Sequence, residues 1–291
     1  MASVVADLTA AVPGIVVYVY DNGSTDRTVE VAKAAGAVVR LEARRGKGHV
    51  IRRAFGDVQA DVFVVVDGDG TYDVSELPTM IELLHAGPYD QVVGVRRETD
   101  PSAYRRGHSA GNLFFNRMVG RLFGEPVQDM LSGFRVLSRR FVKSFPVRSR
   151  GFEVETELTV HGVGLRVPTV HVDVGFRDRP PGSESKLRTY HDGLRILHLI
   201  VKLAKDERPQ PFHAAIAAVL AVISLALGMP VIVDYLQTGL VRRFPTAILA
   251  SSVAIIAVLA LAMGMLLEAH RRVRDEGARL AYLRLPPPGH Q

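Results

Sequence analysis

The 291-residue sequence contains neither cysteine nor tryptophan. Without cysteine, disulfide frameworks, thiolate metal sites and cysteine nucleophiles are excluded as classes. The residues after Met1 lack a basic stretch followed by an apolar run, so no secretory signal is predicted at the N-terminus. Any chemistry must therefore rest on other side chains, and the N-terminal domain is expected to stay in the cytoplasm.

A complete phosphate-binding P-loop is also missing. Lys47 lies between glycines in "RRGKGHV", but Leu41 and Gly48 stand where a P-loop needs its first glycine and its Ser or Thr. An NTPase is therefore not predicted. Lys47 and Arg45 remain candidates for contact with a nucleotide, the alternative being a pair of exposed loop cations.

The chain is basic, with 36 Lys and Arg against 30 Asp and Glu, a net charge of +6. Such a charge suits nucleic acid, anionic lipid or phosphorylated substrates. No recognised nucleic-acid module is present, and many of the basic residues flank apolar segments. The basic balance beside two apolar segments therefore favours anionic lipid, and no nucleic-acid partner is predicted.

Two segments, residues 212–233 and 244–267, are almost purely apolar. At ~1.5 Å per residue such helices reach ~33–36 Å, enough for a hydrocarbon layer ~30 Å thick. We expect a two-helix transmembrane hairpin, the alternative being a buried hairpin in a soluble core. Positive residues flank the hairpin at Lys202, Lys205, Arg208, Arg271, Arg272 and Arg274, whereas its short connection holds Arg242 and Arg243. Their placement predicts that both ends of the hairpin are cytoplasmic.

The segment just before the first apolar run, residues 190–206, combines leucines with a basic polar side. This pattern is typical of a helix lying in the membrane interface. An ordinary surface helix packed on its own domain shows the same periodicity. Its position beside an apolar segment favours the interfacial helix.

Residues 14–66 alternate short β-branched runs with helix-like segments, which predicts a parallel sheet with crossover helices. Asp21 and Asp67 each stand at the end of a predicted strand. Ligands of open α/β sheets bind beyond the carboxyl ends of the strands, so both aspartates are candidate site residues. The helical stretch at residues 2–12 is expected to follow a strand, so the chain is expected to begin one element late.

A second carboxylate accompanies Asp67, because Asp69 follows one glycine later in "VVVDGDGTYD". Two carboxylates at the mouth of a sheet can share a hard divalent cation that also binds diphosphate oxygens. The alternative is an acidic turn that caps the next helix, with Asp73 or Ser75 as the cap.

Six ordered motifs give the chain a resemblance to a known family. They are "YDNGSTDRT", "RRGKG", "VVVDGDG", "DMLSGFR", "GFEVETELT" and "GSESKLR". In order and spacing they resemble family 2 glycosyltransferases of the polyprenyl-phosphate glycosyltransferase and dolichol-phosphate mannose synthase type, over roughly residues 3–195. The resemblance implies an α/β GT-A fold. It departs from the family in lacking the usual first strand and in having Asn22 after Asp21.

The resemblance implies roles for individual residues. Asp21 and Lys47 would bind the nucleotide-sugar, and Asp67 and Asp69 would hold Mg²⁺ or Mn²⁺ on its diphosphate. The acceptor side and the sugar would be lined by Asp129, Ser132, Gly133, Arg135, Glu153 and Glu155, of which Asp129, Arg135 and Glu155, with Asp69, are the candidate catalytic residues. Arg177, Ser183 and Lys186 would belong to a loop that closes on phosphates. Taken alone, each of these residues also fits a turn, a helix cap or a solvated face.

The function implied is inverting transfer of a sugar from a UDP- or GDP-linked donor to a polyprenyl phosphate. The expected domains are a glycosyltransferase domain at 1–188, an interfacial helix and linker at 189–210, two transmembrane helices within 211–270, and a cytoplasmic tail at 271–291. A multi-pass protein of the cytoplasmic membrane is expected, with homo-oligomerisation left open. A processive polysaccharide synthase shares the donor motifs, but its Gln-x-x-Arg-Trp motif needs tryptophan and two spans are few for an export channel. The alternative is an inactive homologue serving as a membrane adaptor.

Overall fold

The computed structural model describes residues 1–98, 128–149, 151, 154–177, 205–206 and 208–289. The chain divides into two compact units, the first comprising Met1–Ser183 and Gly277–Gln291 and the second Glu184–Glu276. The first unit ends five residues before the predicted boundary at 188. It also takes in the final residues of the chain, which the sequence predicted as part of a separate tail.

The first unit is an α/β domain, as predicted. Its described strands are β1 (Tyr18–Asp21), β2 (Val38–Leu41), β3 (Val62–Val65), β4 (Gln91–Glu98), β5 (Arg135–Ser138) and β6 (Thr169–Phe176). Its described helices are α1 (Ala2–Ala11), α2 (Thr28–Ala34), α3 (Lys47–Asp57), α4 (Leu77–Ala86), α5 (Arg139–Ser144) and α6 (Val154–Gly164).

The strands form two sheets, and the second is mixed rather than parallel. Strands β1 and β2 pair in parallel, with Tyr18 opposite Val38. The other sheet has the order β3-β5-β4-β6, in which β5 is antiparallel to both of its neighbours. The parallel pairing predicted within residues 14–66 is found for β1 and β2, whereas β3 pairs with β5 in the mixed sheet. In the described residues, β1 pairs only with β2 and β3 pairs only with β5, so each has one edge without a partner strand.

Successive side chains of β3 and β5 pack in two different hydrophobic clusters. Val136 belongs to a cluster with Leu77 and Leu84 of α4, whereas its neighbour Leu137 packs with Phe141 and Leu158. Successive strand side chains point to opposite faces, so each strand contributes to both clusters. Full burial of each such side chain stabilises the fold by about 1.5–3 kcal/mol. These two layers hold the strand ends that carry the site.

The C-terminal residues of the first unit contact a buried carboxylate. Asp90, fully buried just before β4, accepts hydrogen bonds from Ser138 Oγ at 2.6 Å and from Tyr282 Oη at 2.6 Å. Arg140 pairs with both oxygens of Asp90, and its guanidinium lies 4.5 Å from the centre of the Tyr282 ring. Buried charges are stable only when paired in this way. Tyr282 therefore joins the chain end to the α/β core.

The second unit holds two long apolar helices, as predicted. Helix α7 spans Pro209–Thr238 and helix α8 spans Phe244–Leu283, the last residues of which belong to the first unit. Ser224 Oγ donates to the Ala250 carbonyl at 2.9 Å, and Gly264 lies against His213, so the helices run antiparallel as a hairpin. In the most apolar 18-residue stretch of each helix, only 11% of α7 and 17% of α8 is buried. Both helices are long and apolar enough to cross a membrane.

Both helices extend beyond the predicted spans 212–233 and 244–267. The continuation of α8 is polar, and Arg271 pairs there with Glu268 and Asp275 at 3.0 and 2.8 Å. Pairs spaced by three or four residues stabilise a helix, which explains why helical structure continues past the apolar segment. The predicted interfacial helix at 190–206 lies almost entirely outside the described residues.

Candidate active site

The acidic turn follows β3, at the carboxyl end of that strand. The side chain of Asp67 is 34% exposed and Asp69 is exposed. One Asp69 oxygen accepts hydrogen bonds from the Thr71 amide at 3.2 Å and from the Thr71 hydroxyl at 2.7 Å. In the part of the chain that the structure describes, no three Asp, Glu, His or Cys side chains cluster as a metal site. The turn therefore presents two carboxylates, one of which is partly engaged by the turn itself.

Lys47 links this turn to α6. The first residue of α3, it places its ammonium group against both the Asp67 and the Glu155 carboxylates. Only 19% of the Lys47 side chain and 9% of the Glu155 side chain are exposed. Burial opposes the charged form of Lys47, but Glu155 and Asp67 outweigh it and raise the lysine pKa. Lys47 is therefore held as a cation between two acids that are 88 residues apart in the sequence.

Glu155 carries one oxygen that Lys47 does not satisfy. Its Oε2 is buried and has no hydrogen-bond partner among the residues described. Burial raises the pKa of Glu155, against the opposing effect of Lys47. A buried carboxylate oxygen without a donor costs stability, and such groups commonly mark a ligand site or strain.

Gly133 lets the backbone approach the Asp67 carboxylate. A Cβ at this position would lie 2.9 Å from Asp67 Cγ. The amide of Gly133 donates to Tyr72 Oη at 2.9 Å, which fixes the backbone there. Any larger residue would displace either this backbone or the carboxylate, so Gly133 determines where Asp67 lies.

Arg135 connects the loop before β5, residues 129–134, to α6. Its Nε donates to the Ser132 carbonyl at 3.0 Å, and its Nη2 donates to the Met130 carbonyl and Thr159 hydroxyl at 3.0 and 2.9 Å. Arg135 is 1% exposed, and burial lowers its pKa to about 10 although Glu155 favours the cation. Its Nη1 has no hydrogen-bond partner within the described ranges. The structure thus gives Arg135 a loop-positioning role, and its predicted contact with the acceptor stays a prediction.

Asp129 and Ser132 anchor the loop to β4. Asp129 is buried and accepts from Arg96 Nε and Nη2 at 2.7 and 2.8 Å, a two-point pair. Ser132 Oγ donates to the Gly94 carbonyl at 2.5 Å. Arg96, which the sequence analysis did not single out, stands at the end of "QVVGVRR". A strand that turns from apolar to doubly basic at its carboxyl end was the available signal.

Six charged side chains thus alternate in sign across the site. In order they are Asp67, Lys47, Glu155, Arg135, Asp129 and Arg96. Three cations balance three carboxylates, and Asp69 adds one negative charge at the exposed end. Alternating charges at short range stabilise one another where water is scarce.

Asp21 lies at the end of β1, where it shapes a turn. It is buried, and its carboxylate accepts from the amides of Ser24 at 3.1 Å and Gly23 at 3.4 Å. Hydrogen bonding from Ser24 lowers the Asp21 pKa. The neighbouring Asn22, noted only as a departure from the family, accepts from the Gly46 amide at 2.6 Å and donates to the Glu42 carbonyl at 2.8 Å. Asn22 thereby fixes the loop that presents Lys47.

Of the predicted phosphate loop, the structure describes Arg177. Its amide donates to the Thr71 carbonyl at 2.8 Å, and its exposed guanidinium lies 3.5 Å from Asp73. Arg177 therefore stands beside the acidic turn. Ser183, Lys186 and Glu153, predicted to bind phosphates or lie near the sugar, are outside the described residues.

Comparison with known proteins places this geometry in context. The family described as Glycosyl transferase family 2 matches residues 2–145. Glycosyltransferase AglJ of Haloferax volcanii is 34% identical over 221 residues, covering 75% of this chain and 72% of the relative. A dolichyl-phosphate hexose transferase of the same organism is 30% identical over 209 residues, covering 72% of this chain and 90% of the relative.

Solved structures share the fold. Glucosyl-3-phosphoglycerate synthase from Mycobacterium tuberculosis, crystallised with Mn²⁺, UDP and glucosyl-3-phosphoglycerate, superposes with a TM-score of 0.55 at 24% identity. The match covers 70% of this chain and 74% of the synthase. At this identity the likeness shows the fold, which is GT-A.

Proposed function

Because the chain belongs to glycosyltransferase family 2 and has the GT-A fold, we propose that it transfers a sugar from a nucleotide-sugar to a polyprenyl phosphate at the cytoplasmic face of a membrane. The observation that carries this proposal is the charged constellation at the end of β3. There Asp67, Lys47 and Glu155 meet beside the Gly133 backbone. Such a site can bind an anionic donor and compensate the charge that develops when its diphosphate leaves.

The acceptor is proposed from the second unit and from a relative. Helices α7 and α8 are long enough to cross a membrane and expose most of their apolar side chains. A polyprenyl phosphate holds its reactive group at the bilayer surface, so an enzyme anchored there meets its acceptor without extracting it. The name of the Haloferax dolichyl-phosphate hexose transferase specifies the same class of acceptor. The placement of arginines outside the hairpin supports a cytoplasmic catalytic domain.

The residues present suit a divalent cation. Asp67 and Asp69 offer carboxylate oxygens at an accessible turn, and the oxygens of the donor diphosphate would complete the coordination. Mg²⁺ and Mn²⁺ prefer oxygen ligands of this kind. When bound, the cation would neutralise charge on the leaving diphosphate. The Mycobacterium structure was crystallised with Mn²⁺ and UDP, which is compatible with the same chemistry on this fold.

The reaction is a single displacement. An oxygen of the acceptor phosphate forms a bond to the anomeric carbon while the bond from that carbon to the donor diphosphate breaks, inverting the configuration. The lipid phosphate is already anionic at neutral pH, so a strong general base is not required. Lys47 and Arg177 would hold the diphosphate, with Ser183 and Lys186 closing over it, and Asp21 would face the nucleotide.

The remaining predicted residues position these groups. Asp129 and Ser132 fasten the loop to β4, and Arg135 fastens it to α6. Gly133 then sets the place of Asp67, and the whole loop would face the acceptor. We propose the same order of domains along the chain: catalytic domain, interfacial helix, two transmembrane helices and tail. Residues from Gly277 onward belong to the compact unit that holds the catalytic residues. The comparisons give no support for a homo-oligomer, and we do not propose one.

Activity of the purified full chain in lipid vesicles tests this function. Vesicles containing polyprenyl phosphate receive labelled UDP- or GDP-sugars with Mn²⁺, and labelled lipid is extracted. We expect labelled lipid from at least one donor, and none when polyprenol or free 3-phosphoglycerate replaces the lipid phosphate. Donor binding without turnover on any acceptor would favour the alternative, a membrane adaptor. Transfer to 3-phosphoglycerate alone would overturn the lipid acceptor.

A further inference from the structure

The ammonium group of Lys47 lies against a carboxylate of the proposed metal site. It contacts Asp67, one of the two proposed metal ligands, and it contacts Glu155 on its other side. The backbone that carries Lys47 is fixed, because Asn22 accepts a hydrogen bond from the amide of the preceding residue, Gly46. A single charged side chain therefore bridges two acids that would otherwise repel each other.

The buried oxygen of Glu155 is a second, independent indication of a ligand. Glu155 is 7% exposed, and its Oε2 has no hydrogen-bond partner in the described parts of the chain. The other oxygen, Oε1, faces Lys47. Lys47 thus contacts one oxygen of a buried carboxylate, and the other oxygen is buried without a donor, as is common at ligand sites and at strained sites.

We propose that Lys47 serves as an internal substitute cation in the empty enzyme, and that metal ion and donor diphosphate displace it together. On their entry the ammonium moves from the Asp67 and Glu155 carboxylates to the diphosphate oxygens. The four-carbon stem of lysine and its compact charge allow such a change of partner without backbone movement. This inference rests on the proposed function, whose donor and metal it couples.

The charges of the site explain why the metal ion and the donor diphosphate should bind together. Asp67, Asp69 and Glu155 carry three negative charges and Lys47 one positive charge, so these four side chains sum to −2. With Arg135, Asp129 and Arg96 included, the site sums to −1. A divalent cation alone would meet the lysine ammonium that occupies its ligands. A diphosphate alone would meet the carboxylates. The pair brings compensating charges and gives the displaced ammonium a new partner, so each ligand should strengthen the binding of the other.

Mn²⁺ binding followed by electron paramagnetic resonance tests this without any turnover. The full chain in detergent is titrated with Mn²⁺ alone and with UDP or GDP present. We expect weak binding of Mn²⁺ alone and binding at least about 10-fold tighter with the matching nucleoside diphosphate, within the usual range of 5–150-fold for coupled sites. Lys47→Met should bind Mn²⁺ alone about 10-fold more tightly than the natural chain and lose most of the coupling.

Three control variants separate occupancy of the site from other effects. Lys47→Met/Glu155→Gln restores the local sum of −2 without a resident ammonium, so it should still bind Mn²⁺ alone more tightly than the natural chain. This double variant also serves if Lys47→Met alone does not fold. Lys47→Arg retains the charge and should retain the coupling. Lys33→Met removes an exposed lysine of α2 and should change nothing.

The outcomes distinguish this inference from the proposed function. If Lys47→Met and the double variant both bind Mn²⁺ alone no more tightly than the natural chain, while nucleotide coupling is intact, Lys47 does not occupy the metal position and only this inference fails. If the double variant alone reverts to the natural affinity, net charge rather than occupancy explains the effect, and the inference is again wrong. If no variant binds Mn²⁺ with either nucleotide, the metal site of the proposed function fails as well.

Discussion

Replacing Gly133 by alanine should move the Asp67 carboxylate and little else. The added Cβ would lie 2.9 Å from Asp67 Cγ, whereas non-bonded carbon atoms prefer about 3.5–4.0 Å, so the two must separate by roughly 0.6–1.1 Å. The Gly133 amide is hydrogen-bonded to Tyr72, which resists movement of the backbone. The carboxylate is therefore the group that shifts.

The expected magnitudes follow from that displacement. Overpacking of this kind costs about 1–3 kcal/mol of stability, and the lower end applies because Asp67 is partly exposed and can turn outward. A misplacement of about 1 Å at a reacting group can lower turnover about 10²-fold. Turnover should thus fall far more than the free energy of unfolding.

The assay compares labelled-lipid formation and thermal unfolding for Gly133→Ala against Gly56→Ala. Gly56 lies in α3, and a Cβ added there would meet no atom within 4 Å, so alanine should leave turnover unchanged and stabilise the helix by about 0.5–1 kcal/mol. Natural turnover and natural Mn²⁺ binding in Gly133→Ala would refute the idea that this glycine sets the place of Asp67.

Three further predictions concern single side chains. Asp69→Asn should lower turnover roughly 10²–10³-fold with an unchanged melting temperature, as for other preorganised electrostatic groups, and natural metal dependence would make Asp69 a turn residue only. Tyr282→Phe should lower the free energy of unfolding by about 1.5–3 kcal/mol, because a hydrogen bond to the buried Asp90 carboxylate is lost, and equal denaturation midpoints would contradict this. Burial lowers the pKa of His161 to about 4, so the unfolded chain takes up the proton first as pH falls from about 6.5 to 4, and stability should decline over that range. His161→Phe should flatten the decline, measured as melting temperature at pH 7 and pH 5.

Much of the α/β pattern was predictable because its signals are local. The apolar run that forms β3 and the turn at Asp67 follow directly from alternation and turn chemistry. Strand β5 was not predicted, because its four residues, "RVLS", are buried on both faces and begin with a charged Arg135. Neither alternation nor an apolar run marks such a strand, and its antiparallel pairing depends on distant strands.

The sequence analysis named candidate residues for the site, and these stay predictions, but it did not give the contacts between them. Asp67 and Asp69 stand together in one turn, so their association was readable from the sequence. The bridge from Lys47 to Glu155 joins residues 108 positions apart, and the pair of Arg96 with Asp129 joins residues 33 apart. Such long-range pairs arise from the sheet topology, which local patterns do not specify.

The most direct measurement of the central claim is mass spectrometry of the lipid product made by the full chain in vesicles. The account predicts a polyprenyl phosphate that gains one sugar residue and keeps its single phosphate, with release of one nucleoside diphosphate per sugar transferred. Release should depend on added Mg²⁺ or Mn²⁺. A lipid that gains a second phosphate, release of nucleoside monophosphate, or no lipid product with any UDP- or GDP-linked sugar would contradict it.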